Sequence, residues 1–302
     1  MQSVLVLGGS GLVGSRLLQL WQGRFELRAP THAELDVLDV DALAAVLKQT
    51  QPNTVVNLAA WADVDGAEAQ RDDVHGLAYR LNATHPGALA QLCGDERIHL
   101  LHVSTDYVFD GTNDRRAYRE DDPTNPLGWY ARTKAVGEQL IGNTGAEACI
   151  ARIEMPFTAQ AHAKLDFARM CLTRLRGGQT IAGVTDQRIT PVFLDDAAEA
   201  VRRLIELRVT GTVHVASTSW TTPYDFARAI ASRLGLDEGL IQPQVFERFA
   251  STRTALRPRH CWLDVARASS LLGSGVLRTV DEQLDRWSAQ ARDTRLASGL
   301  VR

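Results

Sequence analysis

Short apolar runs alternate with stretches of helical periodicity through the first half of the chain. V-L-V-L at 4–7 is a continuous apolar run stopped by glycines, as expected of a strand buried on both faces. Leu12 to Trp21 then reads as a helix, and Phe25 to Ala29 as a second strand closed by Pro30. Asp41 to Gln49 predicts a short helix and T-V-V-N-L-A (54–59) a third strand. Val74 to Cys93 reads as helical, with Pro86 breaking or restarting it because proline lacks the N–H that a helix needs. I-H-L-L-H-V-S (98–104) predicts another strand, Leu127 to Ile141 a helix, and A-C-I-A-R (148–152) a further strand. Strands alternating with helices imply an α/β fold, a doubly wound parallel sheet covered on both faces.

After Arg152 the rhythm loosens. Phe167 to Leu175 predicts a helix, G-T-V-H-V-A (211–216) one more strand, and Pro223 to Leu234 and Val280 to Gln290 two amphipathic helices. Asp195 and Asp196 precede A-A-E-A-V-R-R-L and read as a helix N-terminus rather than a carboxylate dyad. With no linker or repeat in view, residues 153–302 predict a smaller lobe interleaved with the sheet of residues 1–152.

Composition narrows the options. A chain of 302 residues can bury a sizeable core, and its net charge of -3 leaves no basic footprint for nucleic acid. No apolar run reaches the roughly 20 residues that span a bilayer. The start has no basic leader or cleavage site. Cys93, Cys149, Cys171 and Cys261 are scattered without a C-x-x-C, so neither zinc nor a disulfide framework is expected, and a reducing cytoplasm fits best. No His, Cys and carboxylate cluster has metal-ligand spacing, so no metal is expected.

Gly8, Gly11 and Gly14 form G-x-x-G-x-x-G between the first strand and the first helix. Glycines there permit a tight turn and let backbone N–H groups approach a pyrophosphate at the helix N-terminus, which predicts dinucleotide binding in a Rossmann domain over residues 1–152. The second strand ends L-R-A-P-T-H, without the acid that would hold a ribose 2′-hydroxyl. Arg28 stands there and can face a 2′-phosphate, so NADP is expected ahead of NAD; a solvated surface charge is the other reading. Asp36 is placed to accept from an adenine amino group, although it also reads as a helix cap, a part for which Asp39 and Asp41 are better placed.

Tyr130 and Lys134 are the candidate for chemistry. The chain has five tyrosines and three lysines against thirty arginines. A Tyr-x-x-x-Lys pair arises by chance with an expectation of roughly 0.05. Positions i and i+4 share a helix face, so phenol and ammonium point into the same space. A fixed cation lets a tyrosine exchange a proton near neutral pH, although an exposed Tyr on a polar helix has the same spacing. Shifting the phenol from about 10 to about 7 takes roughly 4 kcal/mol.

Several segments together resemble the extended short-chain dehydrogenase/reductase superfamily, and within it the dTDP-4-dehydrorhamnose reductase group. The carriers are G-G-S-G-L-V-G (8–14), N-L-A-A-W-A-D-V-D-G-A-E (57–68), L-N-A-T (81–84), S-T-D-Y-V-F-D-G (104–111), P-L-G-W-Y-A-R-T-K-A-V-G-E (126–138) and R-P-R-H-C-W-L-D (257–264). The resemblance implies a catalytic triad of Thr105 (with Ser104 adjacent), Tyr130 and Lys134, supported by Asn82. It implies a cofactor site of Gly8, Ser10, Gly11, Leu12, Val13 and Gly14, extended by Arg28, Asp36, Val37, Ala59, Ala60 and Asn82 and reaching Tyr130 and Lys134. On the substrate side it implies Val64, Asp106, Met155 and Arg257, the last as a clamp on a diphosphate. The implied reaction is reduction of a 4-keto-6-deoxy sugar on a nucleotide, hydride coming from the nicotinamide and the proton from Tyr130. A homodimer through the Tyr/Lys helix is implied by the same analogy.

Departures fall on the sugar side. Ala62 stands where the family usually has Thr, and R-I-E-M (152–155) replaces R-T-S-W, with Met155 in the aromatic's place. D-Q-R-I-T-P-V (186–192) and His260 replace the usual D-Q-x-G-x-P-T and asparagine. Two alternatives therefore stay open: a nicotinamide-binding regulatory subunit without turnover, resembling the beta subunit of methionine adenosyltransferase, and a nucleotide-sugar epimerase or dehydratase. Only Asp106 follows Thr105 before Tyr107, which favours simple reduction. Trp61 reads as packing beside a strand end or as site lining, His102 as a satisfied core histidine, and Arg257 equally as a surface salt bridge.

Overall fold

The computed structural model describes residues 1–292. In chain order the first half runs β1 (Ser3–Leu7), α1 (Leu12–Trp21), β2 (Glu26–Arg28), α2 (Val40–Thr50), β3 (Thr54–Asn57) and α3 (Val64–Glu68). Then come α4 (Leu77–Tyr79), a π-helical turn (Arg80–Thr84), α5 (His85–Asp95), β4 (His99–Thr105), α6 (Trp129–Gly142) and β5 (Ala148–Ile153). The second half adds α7 (Phe167–Arg176), β6 (Ile181–Val184), α8 (Leu194–Glu206), β7 (Gly211–Val215) and α9 (Pro223–Leu234). It closes with β8 (Ile241–Gln244), α10 (Phe246–Ala250), α11 (Ala266–Leu272) and α12 (Val280–Ala291).

Six strands form one parallel sheet in the order β2-β1-β3-β4-β5-β7. The apolar run of β1 explains its burial on both sides. Val4 and Val6 face one core with Leu17, Trp21 and Val201, while Leu5 and Leu7 face the other with Leu43, Leu47 and Leu89. That is the two-residue alternation of a strand with apolar side chains on every position. β7, from the second half, pairs with β5 and completes the sheet. A separate core, built on Phe157, Leu172, Phe226, Leu284 and Trp287, joins α7, α9 and α12. Beside it lies a two-stranded sheet of β6 and β8, which the sequence did not signal because both strands are four residues long and I-Q-P-Q in β8 is half exposed and half polar.

Asp195 and Asp196 do sit in the first turn of α8. They also tie helices together: Asp195 meets Arg16 of α1 at 2.6 Å, and Asp196 pairs with Arg278 at 2.7 Å and with Arg286 of α12. Pro86 does not break its helix. α4, the π turn and α5 run on continuously, starting at Leu77 rather than Val74. An α-helix would need the N–H of residue 86 for the Asn82 carbonyl four residues back, and proline has none. The wider π turn absorbs that missing bond and leaves the Asn82 carbonyl oxygen facing α6. A Cβ added at Gly137 of α6 would lie 2.1 Å from that oxygen, so the two helices meet backbone to backbone. Among the described residues no helix is long and apolar enough to cross a membrane.

Candidate active site

The turn after β1 is shaped by its glycines. Gly8 has φ +78°, and a Cβ there would stand 2.6 Å from the Ala59 nitrogen; one at Gly14 would stand 2.5 Å from the Gly8 carbonyl oxygen. Only glycine tolerates both approaches. Gly11 begins α1 with no side-chain cap among the described residues and no acid in the first turn. The first amides of α1 are therefore left for an anion, assisted by the helix dipole. These features fit a dinucleotide pyrophosphate.

From that loop a cavity of about 420 Å³ runs to the C-terminal end of β4. Gly8, Gly11, Leu12, Val13 and Gly14 line its near end. Thr105, Asp106, Tyr130 and Lys134 line the far end, with Ala60, Val64 and Met155 across from them. His162 and Lys164, from the loop before α7, also border it, and His162 Nε2 reaches the Ser10 carbonyl at 3.1 Å. Neither was singled out in the sequence, where the loop carries no pattern.

Tyr130 and Lys134 are placed by the start of α6. The Trp129 N–H donates to Glu68 Oε1 of α3 at 2.6 Å, so a carboxylate from 61 residues away caps this helix. Tyr130 packs, as Trp61 and Tyr79 do, against the buried cluster of Ala67, Ala78 and Trp129, and its ring meets Tyr107 edge-on at 6.1 Å. Glu68→Ala removes the cap, and about 1 kcal/mol of stability is expected to go with it. A thermal midpoint unchanged in that variant would show that water caps the helix equally well.

Burial, reinforced by Asp106, pushes the Tyr130 phenol up to about 12, with Thr105 pulling the other way. Burial thus acts against the downward pull on the phenol that the sequence reading gave to Lys134. The lysine amine is directed elsewhere: Nζ donates to the Val103 carbonyl at 2.8 Å and lies 3.1 Å from His102 Nε2. Burial lowers the Lys134 ammonium itself to about 8, against the raising effect of Glu138. A phenol held in its protonated form is the state that can give a proton away.

Thr105 closes β4, donating through Oγ1 to Asp106 Oδ1 at 3.0 Å and accepting the Tyr107 N–H at 3.2 Å. Burial raises Asp106 to about 7, opposed first by that threonine bond. Glu154, which stands in the place of the family's serine, is 1% exposed and accepts the Thr190 N–H at 2.7 Å and the Thr190 hydroxyl. Burial, then Asp106, pushes its carboxyl well above the ordinary range. Met155, the next residue, has φ +38°, a left-handed backbone that costs a non-glycine residue strain.

Other expected residues stand apart from the cavity lining. Asn82 is fully buried and joins loop to helix: its Oδ1 accepts the Trp61 N–H at 2.9 Å, and its Nδ2 donates to the Trp61 carbonyl and to Thr133 Oγ1. It supports the site from behind. Ala59 gives its N–H to Asn57 Oδ1. Arg28 is exposed at the end of β2, Asp36 is exposed and accepts the Leu38 N–H at 3.0 Å, and Val37 packs on the core under the sheet. Arg257 is held by Asp65 at 2.7 Å and donates to the Ala255 carbonyl, so its guanidinium is already engaged. No group of three or more His, Cys, Asp or Glu among the described residues stands close enough to hold a metal ion.

Residues 1–292 match the RmlD substrate binding domain family. The chain belongs to that family. The dTDP-4-keto-6-deoxy-D-glucose reductase of Streptomyces niveus is 35% identical over 258 residues, covering 85% of this chain and 86% of that protein. The dTDP-4-dehydrorhamnose reductase of Mycobacterium tuberculosis is 33% identical over 248 residues, 80% of this chain and 79% of that one. The solved structure of dTDP-4-dehydrorhamnose reductase from Bacillus anthracis in complex with NADP superposes with a TM-score of 0.87 at 25% identity, over 96% of this chain and 100% of that chain. The parallel sheet is shared with that structure, while Ala62, Glu154 and Met155 stand where other residues were expected.

Proposed function

We propose that this protein reduces the 4-keto group of a nucleotide-linked 4-keto-6-deoxy sugar with NADPH. Its relatives are named reductases of dTDP-linked keto sugars, which makes it an oxidoreductase of a sugar carbonyl. The observation that carries the reading is the convergence of the glycine turn, Thr105 and Tyr130 on one cavity. NADPH, when bound, supplies the hydride.

The residues of the chain do the rest. Gly8, Gly11 and Gly14 with the start of α1 hold a pyrophosphate. Arg28, exposed where an acid would select a 2′-hydroxyl, receives a 2′-phosphate and favours NADP over NAD. Tyr130 delivers its phenolic proton to the carbonyl oxygen, and the Thr105 hydroxyl turns from Asp106 to donate to that same oxygen. Asp106 is followed by Tyr107 rather than by the second acid that many dehydratases of the superfamily carry there. That favours reduction over dehydration. Residues 1–152 serve the cofactor and the lobe from 153 shapes the sugar end, with Met155 and Lys164 on its wall; residues 293–302 of that lobe lie outside those described. A homodimer and a cytoplasmic location complete the reading, on family resemblance and on four cysteines that are free thiols.

The test is NADPH oxidation by the purified protein with dTDP-4-keto-6-deoxyhexoses, followed by absorbance. Saturable turnover is expected. Tight NADPH binding without turnover on any keto sugar would replace this reading with that of a regulatory subunit.

A further inference from the structure

The loop between β5 and α7 brings to the cavity a cation that the reaction above does not use. Lys134 and Lys164, two of the chain's three lysines, border the cavity, and Asp106 is the one acid among the described residues that line it. The loop also lies along the first turns of α1. A smaller cavity of about 280 Å³ is walled by Leu12, Ser15 and Gln19 on one side and by Thr158, Gln160 and His162 on the other.

This loop is built into place from two directions. Arg169 of α7 is completely buried and holds it from within: Nε pairs with Asp166 at 2.6 Å, Nη1 donates to the His162 carbonyl at 3.0 Å, and Nη2 donates to the Lys164 carbonyl. His162 fastens it to the glycine turn. The Lys164 backbone N–H, which can only donate, reaches His162 Nδ1 at 3.0 Å. The Ser10 carbonyl, which can only accept, lies 3.1 Å from His162 Nε2. An imidazole with its proton on Nε2 serves both bonds. Lys164 therefore has its N–H and its carbonyl both fixed, and little further ordering of the backbone is needed for its side chain to hold a ligand.

That side chain has no counter-charge. Asp166, two residues on, is taken by Arg169 at 2.6 Å, and among the described residues Lys164 joins no ion pair. The near end of the same cavity presents the uncapped first amides of α1. A compact ammonium beside a helix N-terminus suits a ligand with more than one negative charge. We propose that Lys164 binds a diphosphate in this cavity, with His162 as the positioning residue that ties its loop to the glycine turn. The assignment rests on the reading of the protein as an NADPH-dependent reductase of a nucleotide sugar, which brings two diphosphates, one in the cofactor and one in the sugar nucleotide.

Calorimetric binding of NADPH and of dTDP, each without a keto sugar, separates the two sources and needs no turnover. Lys164→Gln is expected to raise the Kd of one or both roughly tenfold, the effect of removing a hydrogen bond to a charged group, while Lys164→Arg keeps most of the affinity. A loss for NADPH alone assigns the cofactor's diphosphate, and a loss for dTDP alone assigns that of the sugar nucleotide. In the affected arm the wild-type Kd should rise more steeply with salt than that of Lys164→Gln. His162→Leu should weaken the same arm although Lys164 is still present; an unmoved arm would remove His162 from the proposal.

Unchanged affinity of Lys164→Gln for both ligands, with the wild-type protein binding them, would overturn the inference and leave the reductase reading standing. A loss that Lys164→Arg does not restore would mean a disturbed loop rather than a lost charge, and would overturn it too. Wild-type protein that binds neither ligand would overturn both readings together.

Discussion

Tyr130→Phe is expected to lower kcat by roughly 10²- to 10⁴-fold, the range for removing a positioned general acid. NADPH affinity should hardly change. The ring keeps its contacts with Tyr107 and with the Ala67, Ala78 and Trp129 cluster, so the fold and the α6 start stay in place. Only the oxygen is lost. Because burial holds the phenol near 12, Tyr130 is protonated across the working range. The defect should therefore be independent of pH from about 6 to 9. Steady-state rates with NADPH binding measured alongside would check this. A variant that keeps a tenth or more of the wild-type kcat would remove Tyr130 as the proton donor.

The second large effect is expected at a residue far from any substrate. Gly137→Ala puts a methyl 2.1 Å from the Asn82 carbonyl oxygen, with backbone on both sides of the contact. Neither side can yield by turning a side chain, so α6 or the π turn must move by about an ångström. Overpacking of this kind costs roughly 1–3 kcal/mol, and a displacement of about 1 Å at a reacting group costs up to about 10²-fold in rate. Both losses should appear together, in the thermal midpoint and in kcat. Gly142→Ala is the control on the same helix: a Cβ there meets nothing within 4 Å among the described residues, and stability should hold or rise slightly. Equal behaviour of the two variants would mean that α6 is not registered against Asn82.

What could be read from the sequence follows from what was local. β1, β3, β4 and β5 were legible because a parallel strand covered on both faces carries a run of consecutive apolar residues, here interrupted by a few buried polar ones such as Asn57, His102 and Arg152. The Tyr130 and Lys134 pair was legible because one helical turn fixes its geometry. β6 and β8 were missed, each being four residues long, with I-Q-P-Q of β8 half polar as well. Pro86 signalled a break because the compensation comes from a π turn, which has no sequence signature of its own. The site's supports were the hardest to read. Glu68, the cap of α6, lies 61 residues before its partner, and His102 in an apolar strand is indistinguishable from a core histidine until Lys134 is placed beside it. Arg257 reads equally as a diphosphate clamp and as a surface salt bridge, and only the fold supplies the partner, Asp65.

The four cysteines form a distributed set of reporters. All are buried, and each of the three main cores holds at least one: Cys149 and Cys261 between the sheet and α8, Cys93 under the opposite face, and Cys171 in the C-terminal lobe. Burial pushes Cys93, Cys149 and Cys171 up to about 12, so almost no thiolate is present in the native state to attack a reagent. Alkylation must then wait for the surrounding structure to open. The order in which the four are modified would rank the opening of each face of the sheet and of the lobe, with no probe introduced into the protein.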